Sequence, residues 1–172
     1  MLYSRLLQAI YRRWLGPLPA PPAGGEETAL VLVADGVGGL DLCGTGLQYM
    51  VPRQSPQTLV KVWCWGHGFG RWMRDLTNVE NHASQSQSMA AEVRAFRERI
   101  PEAPVFLVGK SGGTGVVVRV LEQLPEESVE TAVLLAPAIS PDYDLSRALR
   151  ALRREMVVYW SPLDMIILGA GT

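Results

Sequence analysis

Short apolar runs alternate with longer amphipathic stretches along most of the chain. Runs of this kind, bounded by glycine and polar residues, are typical of strands buried on both faces of a sheet. The predicted strands cover residues 29–34, 59–65, 105–108, 129–135 and 156–160. Helical spacing predicts helices over residues 40–50, 84–99, 114–124 and 145–154, the last of them basic and amphipathic. Strands that alternate with helices predict an α/β fold with a mostly parallel sheet and helices on both faces.

The first 22 residues stand apart from this pattern. The apolar side chains of residues 1–15 fall near one face of a helix, and three arginines lie elsewhere on it. Two interpretations stay open: a leader helix that packs on the domain, which is preferred, and a helix that lies on a membrane surface. A proline-rich connector follows, so the main domain is expected over 28–172. No signal-peptide pattern is present, which indicates a cytoplasmic location, with membrane association as the alternative.

Charge and cysteine content limit the classes of partner. Sixteen basic residues face seventeen acidic ones, the net charge is −1, and no dense basic run exists. This pattern argues against nucleic-acid binding. Cys43 and Cys64 fit neither a disulfide framework nor a zinc pattern, and are predicted to be small buried side chains. No metal ion or cofactor is expected.

The most informative segment joins the strand at 105–108 to the helix at 114–124. It reads Gly109-Lys-Ser111-Gly-Gly113, which matches the pattern strand, G-x-S-x-G, helix. A serine on such a tight turn has a strained backbone and an exposed hydroxyl, and the glycines prevent collisions with neighbouring elements. Ser111 is therefore the predicted nucleophile. The alternative is a glycine-rich turn in which the serine caps the helix.

Two phosphate-binding patterns share some of these letters. Residues 109–111 end like a Walker A motif, but an apolar strand occupies the positions where its first glycine would be needed. Residues 35–41 imitate a dinucleotide-binding loop, but Asp41 stands at the third glycine position. Neither nucleotide interpretation is favoured.

Three segments together resemble the α/β-hydrolase superfamily, in the order usual for it. The first is the strand at 29–34 with its glycine-rich loop at 36–39, although Asp35 stands where many members have histidine. The second is the turn at Ser111, and the third is the segment 159–167. The resemblance covers nearly everything after the connector.

The resemblance implies a role for each site residue. Ser111 attacks the acyl carbon, and Asp164 orients the catalytic imidazole. The N–H groups of Gly112 and of Val37 or Gly38 hold the oxyanion. The implied reaction is hydrolysis of a small-molecule ester or thioester through an acyl-enzyme. A non-catalytic domain that keeps the fold for binding is the alternative.

The catalytic histidine is the departure from this pattern. The superfamily order is serine, acid, histidine, but the two histidines, His67 and His82, both precede Ser111. His67 is expected at the rim of the pocket, with a base role as the weaker alternative, and His82 at the start of a helix. The histidine is therefore expected past Thr172, in a last strand and helix missing from this sequence, which would leave these residues inactive on esters.

Two further aspartates follow the strand at 129–135, where some members of the superfamily carry the acid. Asp142 and Asp144 are interpreted instead as turn and helix-capping residues.

Overall fold

The computed structural model describes residues 10–11, 13–39 and 41–161, and within them the chain forms one parallel sheet. Every neighbouring pair of strands is parallel, in the order β2-β1-β3-β4-β5. The strands are β1 (Ala29–Ala34), β2 (Thr58–Val62), β3 (Val105–Lys110), β4 (Val129–Leu135) and β5 (Leu152–Tyr159). Because parallel strands need crossover connections, helices lie between them.

Both faces of the sheet are covered by helices, which confirms the predicted fold class. Consecutive residues of β1 point to opposite faces, so Leu30 and Leu32 belong to one core and Val31 and Val33 to the other. The first core packs against α3 (Val79–Arg99), α4 (Gly113–Leu121) and α5 (Ser146–Arg150). The second packs against α1 (Leu42–Gln54). A short helix, α2 (Trp72–Thr77), precedes α3.

Most of the predicted elements differ from the structure by a few residues at one or both ends, including the strand predicted over 59–65, which ends at Val62, and two helices differ for a clear reason. The helix predicted over 84–99 begins earlier, at Val79, because the side chain of Asn78 accepts a hydrogen bond from the N–H of Asn81 at 3.0 Å. The helix predicted over 145–154 is wrong in its second half. It ends at Arg150, and the chain enters β5 at Leu152, where pairing with β4 overrides the helical pattern.

The described part of the N-terminal segment contacts α1. The ring of Tyr11 stacks on Tyr49 with a centroid separation of 5.7 Å, and the guanidinium of Arg53 donates to the carbonyl of Leu15. Both contacts favour the interpretation that this segment packs on the domain, although Trp14 is 80% exposed. No helix among the described residues is both long and apolar enough to cross a membrane.

Cys43 and Cys64 were predicted to be buried, and the prediction is wrong for Cys64. Its side chain is exposed, because Cys64 lies just past the end of β2. Cys43 is half-buried.

Candidate active site

The turn at Ser111 joins the central strand β3 to helix α4. Ser111 has a φ of 48°, a left-handed conformation that costs free energy for any residue other than glycine. Its N–H donates to the carbonyl of Leu135 at 2.9 Å, and its own carbonyl accepts from the N–H of Thr114 at 3.0 Å. These bonds hold the serine in the strained conformation, between a strand end and the N-terminus of a nine-residue helix.

The glycines on either side of the serine are required by sterics. A Cβ on Gly109 would lie 2.8 Å from the Cα of Thr114. A Cβ on Gly113 would lie 2.1 Å from the carbonyl oxygen of Ala34 and 2.4 Å from that of Asp35. All of these obstacles are backbone atoms, which cannot move aside cheaply. The G-x-S-x-G spacing is therefore imposed by the close approach of α4 to β1 and β3.

The loop after β1 lies against Ser111. A Cβ on Gly36 would be 3.6 Å from the Cβ of Ser111, and a Cβ on Gly112 would be 2.7 Å from the side chain of Val37. The buried carboxylate of Asp35 accepts the N–H groups of Gly36 and Gly44, each at 2.8 Å. Asp35 thus ties the loop to the first turn of α1.

The two candidate oxyanion donors in this loop differ in their hydrogen bonding. The N–H of Gly38 donates to Oδ2 of Asp75 at 2.9 Å, so it already has an acceptor. The alternative that names Gly38 is therefore at odds with the geometry. Val37 and Gly112, which lie side by side, stay the predicted donors.

Asp75 was missed by the sequence interpretation, although its side chain is fully buried. It accepts the N–H of His67 at 2.6 Å in addition to that of Gly38. Helix α2, which carries it, spans six residues and buries only this one of them. In this helix an acidic residue is buried and the apolar residues are exposed. A hydrophobic pattern would have predicted the opposite, so it could not identify Asp75.

His67 lies beside this loop, but both of its ring nitrogens are occupied. Nδ1 lies 2.9 Å from Oδ1 of Asp75, and Nε2 lies 3.2 Å from Nδ2 of Asn78. Since Oδ1 of Asn78 accepts the N–H of Asn81, its Nδ2 is left to donate to the imidazole. In this arrangement Nδ1 donates to Asp75 and Nε2 accepts from Asn78. This arrangement does not support His67 as the base for Ser111.

Of the other candidate residues, the structure describes Asp142, Asp144 and His82 but not Asp164. Asp164 lies outside the described residues, so its role stays a prediction. Asp142 and Asp144 are both exposed, and Asp144 accepts the N–H of Ser146, the first residue of α5, at 2.8 Å, although the N-cap of that helix is Leu145. His82 lies in the first turn of α3, as predicted, and its ring contacts the carbonyl of Asp75. Among residues 10–11, 13–39 and 41–161, no three His, Cys, Asp or Glu side chains are grouped as a metal site would require.

Burial and hydrogen bonding act in opposite directions on Asp75. Burial of the carboxylate by itself raises the pKa of Asp75, because the charged form loses its hydration. The N–H groups of Gly38 and His67, together with the imidazole of His67, outweigh this effect and hold its pKa below the ordinary value. Asp75 is therefore an anion at neutral pH.

Acid is expected to weaken the fold through Asp75. A carboxylate whose pKa is lower in the folded than in the unfolded protein stabilises the fold above the unfolded value, and this contribution disappears as pH falls through the folded value. The ordinary aspartate pKa is about 3.9, so Tm should fall more steeply below about pH 5 in the wild type than in Asp75→Asn. Thermal unfolding at a series of pH values measures this difference, and equal slopes would contradict the assignment.

Comparisons with known proteins agree with this architecture. A sequence profile of the family described as serine aminopeptidase, S33, matches residues 60–165. A cutinase from Trichoderma reesei, solved in complex with a phosphonate inhibitor, has a TM-score of 0.65 at 17% identity, over 99% of this chain and 76% of the cutinase. Esterase PE8 has a TM-score of 0.53 at 18% identity, over 81% of this chain and 71% of its own. An acetylxylan esterase has a TM-score of 0.53 at 12% identity, over 77% of this chain and 82% of its own.

A search of curated proteins finds no significant match. At the identities given above, likeness to the three solved structures shows the fold alone. The profile match spans more than half of the sequence, and this chain therefore belongs to the serine aminopeptidase S33 family of the α/β-hydrolase superfamily.

Proposed function

We propose that this protein hydrolyses esters or thioesters through an acyl-enzyme formed on Ser111. The observation that carries the proposal is the left-handed φ of 48° at Ser111, between a central parallel strand and a helix N-terminus. A strained conformation persists only where the surroundings enforce it, and such positions cluster at active sites. Gly109 and Gly113 allow the close packing that enforces it here.

The reaction follows from the position of the serine. Its hydroxyl oxygen bonds to the acyl carbon while a base takes the proton, and the alcohol or thiol leaves with a proton. Water then attacks the acyl-enzyme, releases the acid and regenerates the serine. The N–H groups of Val37 and Gly112 are the proposed oxyanion donors, and the N-terminus of α4 adds partial positive charge at the same place.

Asp164 is proposed as the acid of the triad, and the base is not assigned to a residue of this sequence. The two histidines are His67 and His82. The ring of His67 lies against the carboxylate of Asp75, and the ring of His82 contacts the backbone carbonyl of Asp75. The expectation of a histidine past Thr172 stays a prediction.

The surface beside the loop favours substrates with apolar acyl groups. Phe69, Trp72, Met73 and Leu76 are all exposed, and a Cβ on Gly38 would lie 4.0 Å from the Cβ of Trp72. A longer acyl chain that lies on this surface loses contact with water, at about 0.8 kcal/mol for each buried CH₂. An apolar chain should therefore bind better than a short one.

Removal of the Trp72 ring should reduce the preference for long acyl chains. In Trp72→Ser, the ratio of kcat/KM for p-nitrophenyl octanoate to that for the acetate is expected to fall by about three- to tenfold, since apolar contact area is lost. Trp14→Ser is the matched control, because Trp14 is also exposed but lies in the N-terminal segment. An unchanged ratio in Trp72→Ser would contradict the placement of the acyl chain on this surface.

Acyl-enzyme trapping tests the function itself. The protein is mixed with p-nitrophenyl acetate, quenched in acid, and digested for mass spectrometry. An acetyl group on the peptide that contains Ser111 supports the proposal. Amino-acid p-nitroanilides are run in parallel, because the family includes aminopeptidases by its description. Turnover of the anilides alone would replace the ester assignment with amide hydrolysis.

A non-catalytic binding domain is the second candidate, and the occupied ring of His67 favours it. It predicts no adduct and no turnover with any acyl donor. In that case Ser111 would keep its conformation for packing reasons alone.

A further inference from the structure

The side chain of Asp75 joins two loops that follow neighbouring strands. Its Oδ2 accepts the N–H of Gly38, in the loop after β1, and its Oδ1 accepts the N–H of His67, in the loop after β2. We propose that Asp75 is a positioning residue, which fixes the loop at 36–39 so that the N–H of Val37 is aimed at the oxyanion. The catalytic part of this inference rests on the proposed function.

The carboxylate has no room for other partners. Its side chain is fully buried, and a Cβ on Gly66 would lie 2.8 Å from Oδ2. Charge-assisted hydrogen bonds to an anion are shorter and stronger than neutral ones, and they gain further in a buried site. Replacement of the carboxylate by an amide would leave at least one of these two part-buried loop N–H groups without its acceptor, which is costly. The carboxylate therefore determines where both loops lie.

The imidazole of His67 connects this carboxylate to the start of α3. Its Nδ1 lies against Oδ1 of Asp75, and its Nε2 against Nδ2 of Asn78, the residue that caps α3. The hydrogen bonds thus connect the loops to a helix of 21 residues, α3, which packs in the first core. We call these four residues (Gly38, His67, Asp75 and Asn78) the Asp75 network.

The two loops also touch directly, so movement of one displaces the other. A Cβ on Gly39 would lie 3.1 Å from the backbone of Gly68 and of Phe69. Val37 lies two residues before Gly39, and its side chain packs against Gly112. A loop that drifts by a fraction of an ångström therefore moves the N–H of Val37 relative to Ser111. Oxyanion donors act only when they are held at hydrogen-bond distance from the developing charge.

The carboxylate and the imidazole can be tested by separate substitutions. Asp75→Asn removes the charge with little change of shape. His67→Asn keeps an N–H donor near the position of Nδ1, whereas His67→Leu removes both ring nitrogens. Glu102→Gln is the matched control, since it neutralises an exposed carboxylate before β3, at the opposite end of the sheet.

Hydrogen exchange by mass spectrometry gives a readout that does not need turnover. Peptides covering 35–41 and 66–70 should exchange about tenfold faster in Asp75→Asn and in His67→Leu, because lost hydrogen bonds leave the loops free to open. A peptide from β4 should be unchanged. His67→Asn should stay within about threefold of the wild type, as a variant that keeps the donor does.

Ester kinetics then test the catalytic consequence. Asp75→Asn is expected to lower kcat by about ten- to a hundredfold and to leave KM within about twofold, since an oxyanion donor acts on the transition state. His67→Asn should recover most of the kcat lost in His67→Leu. A residue with only a structural role would lower the amount of folded enzyme. It would not lower kcat per folded molecule while KM stays nearly unchanged.

Each outcome decides the proposal. Unchanged loop exchange in Asp75→Asn, or faster exchange that includes β4, would overturn it, and so would loosened loops with an unchanged kcat. If Asp75→Asn does not fold, the His67 pair decides by the same criteria. If the wild type turns over no substrate, the proposed function fails. Loop exchange then decides alone whether the Asp75 network holds the loops.

Discussion

Replacement of Ser111 by alanine is expected to abolish ester hydrolysis, with kcat reduced by about 10³- to 10⁶-fold. In the proposed mechanism the hydroxyl oxygen is the atom that bonds to the acyl group, so its loss removes the acyl-enzyme route entirely. What would be left is the smaller rate increase that binding and oxyanion stabilisation supply without a nucleophile. Labelling by a fluorophosphonate probe should disappear in the same variant.

Ser88→Ala is the matched control, because Ser88 is exposed on α3 and donates only to the carbonyl of Ser84. It should keep wild-type turnover and labelling. Turnover that persists in Ser111→Ala, or a probe adduct on another residue, would remove Ser111 from the mechanism. Steady-state kinetics and mass spectrometry of the labelled peptide are the measurements.

A second substitution at this position separates activity from stability. Ser111→Gly is expected to be as inactive as the alanine variant but to raise the free energy of unfolding by about 1 kcal/mol, since glycine adopts a φ of 48° without strain. An active site that stores strain behaves in this way. If the glycine variant were no more stable than Ser111→Ala, the strain would be relieved elsewhere.

The sheet could be predicted closely from the sequence, because buried parallel strands are short uninterrupted apolar runs. The ranges predicted for β1 and β4 are those observed, and β3 differs only at its end. β5 differs at its start, because Arg153 and Arg154 are exposed on it and read as the polar face of a helix. Pairing with β4 decides the structure there, and no local pattern carries that information.

The site could be predicted only where local geometry determines it. The turn at Ser111 is such a case, since spacing, strain and glycine sterics lie within a few residues. The direction of the Gly38 N–H is not, because it depends on Asp75, 37 residues further along the chain. Asp75 lies only eight residues after His67, but no motif in the sequence marks their pairing. Contacts of this kind require the three-dimensional fold.

Gly113→Ala is expected to destabilise the protein by at least about 3 kcal/mol, and so to prevent folding or reduce the soluble yield severely. The new Cβ would lie 2.1 Å from the carbonyl oxygen of Ala34, and the next obstacle, the carbonyl oxygen of Asp35, is also backbone. To relieve this clash, α4 would have to move away from β1, and that movement would open the first core. The turn at Ser111 would move with the helix.

The same helix offers a matched control for this substitution. A Cβ on Gly115 would meet only the end of the Ile139 side chain, at 4.0 Å, which is an ordinary contact. Gly115→Ala should therefore stabilise the protein by about 0.5–1 kcal/mol, the usual gain from replacing a glycine inside a helix. Urea unfolding followed by tryptophan fluorescence compares the two variants with the wild type. Equal stability of Gly113→Ala and Gly115→Ala would show that α4 does not approach β1 as closely as the geometry requires, and the steric explanation of Gly113 would then fail.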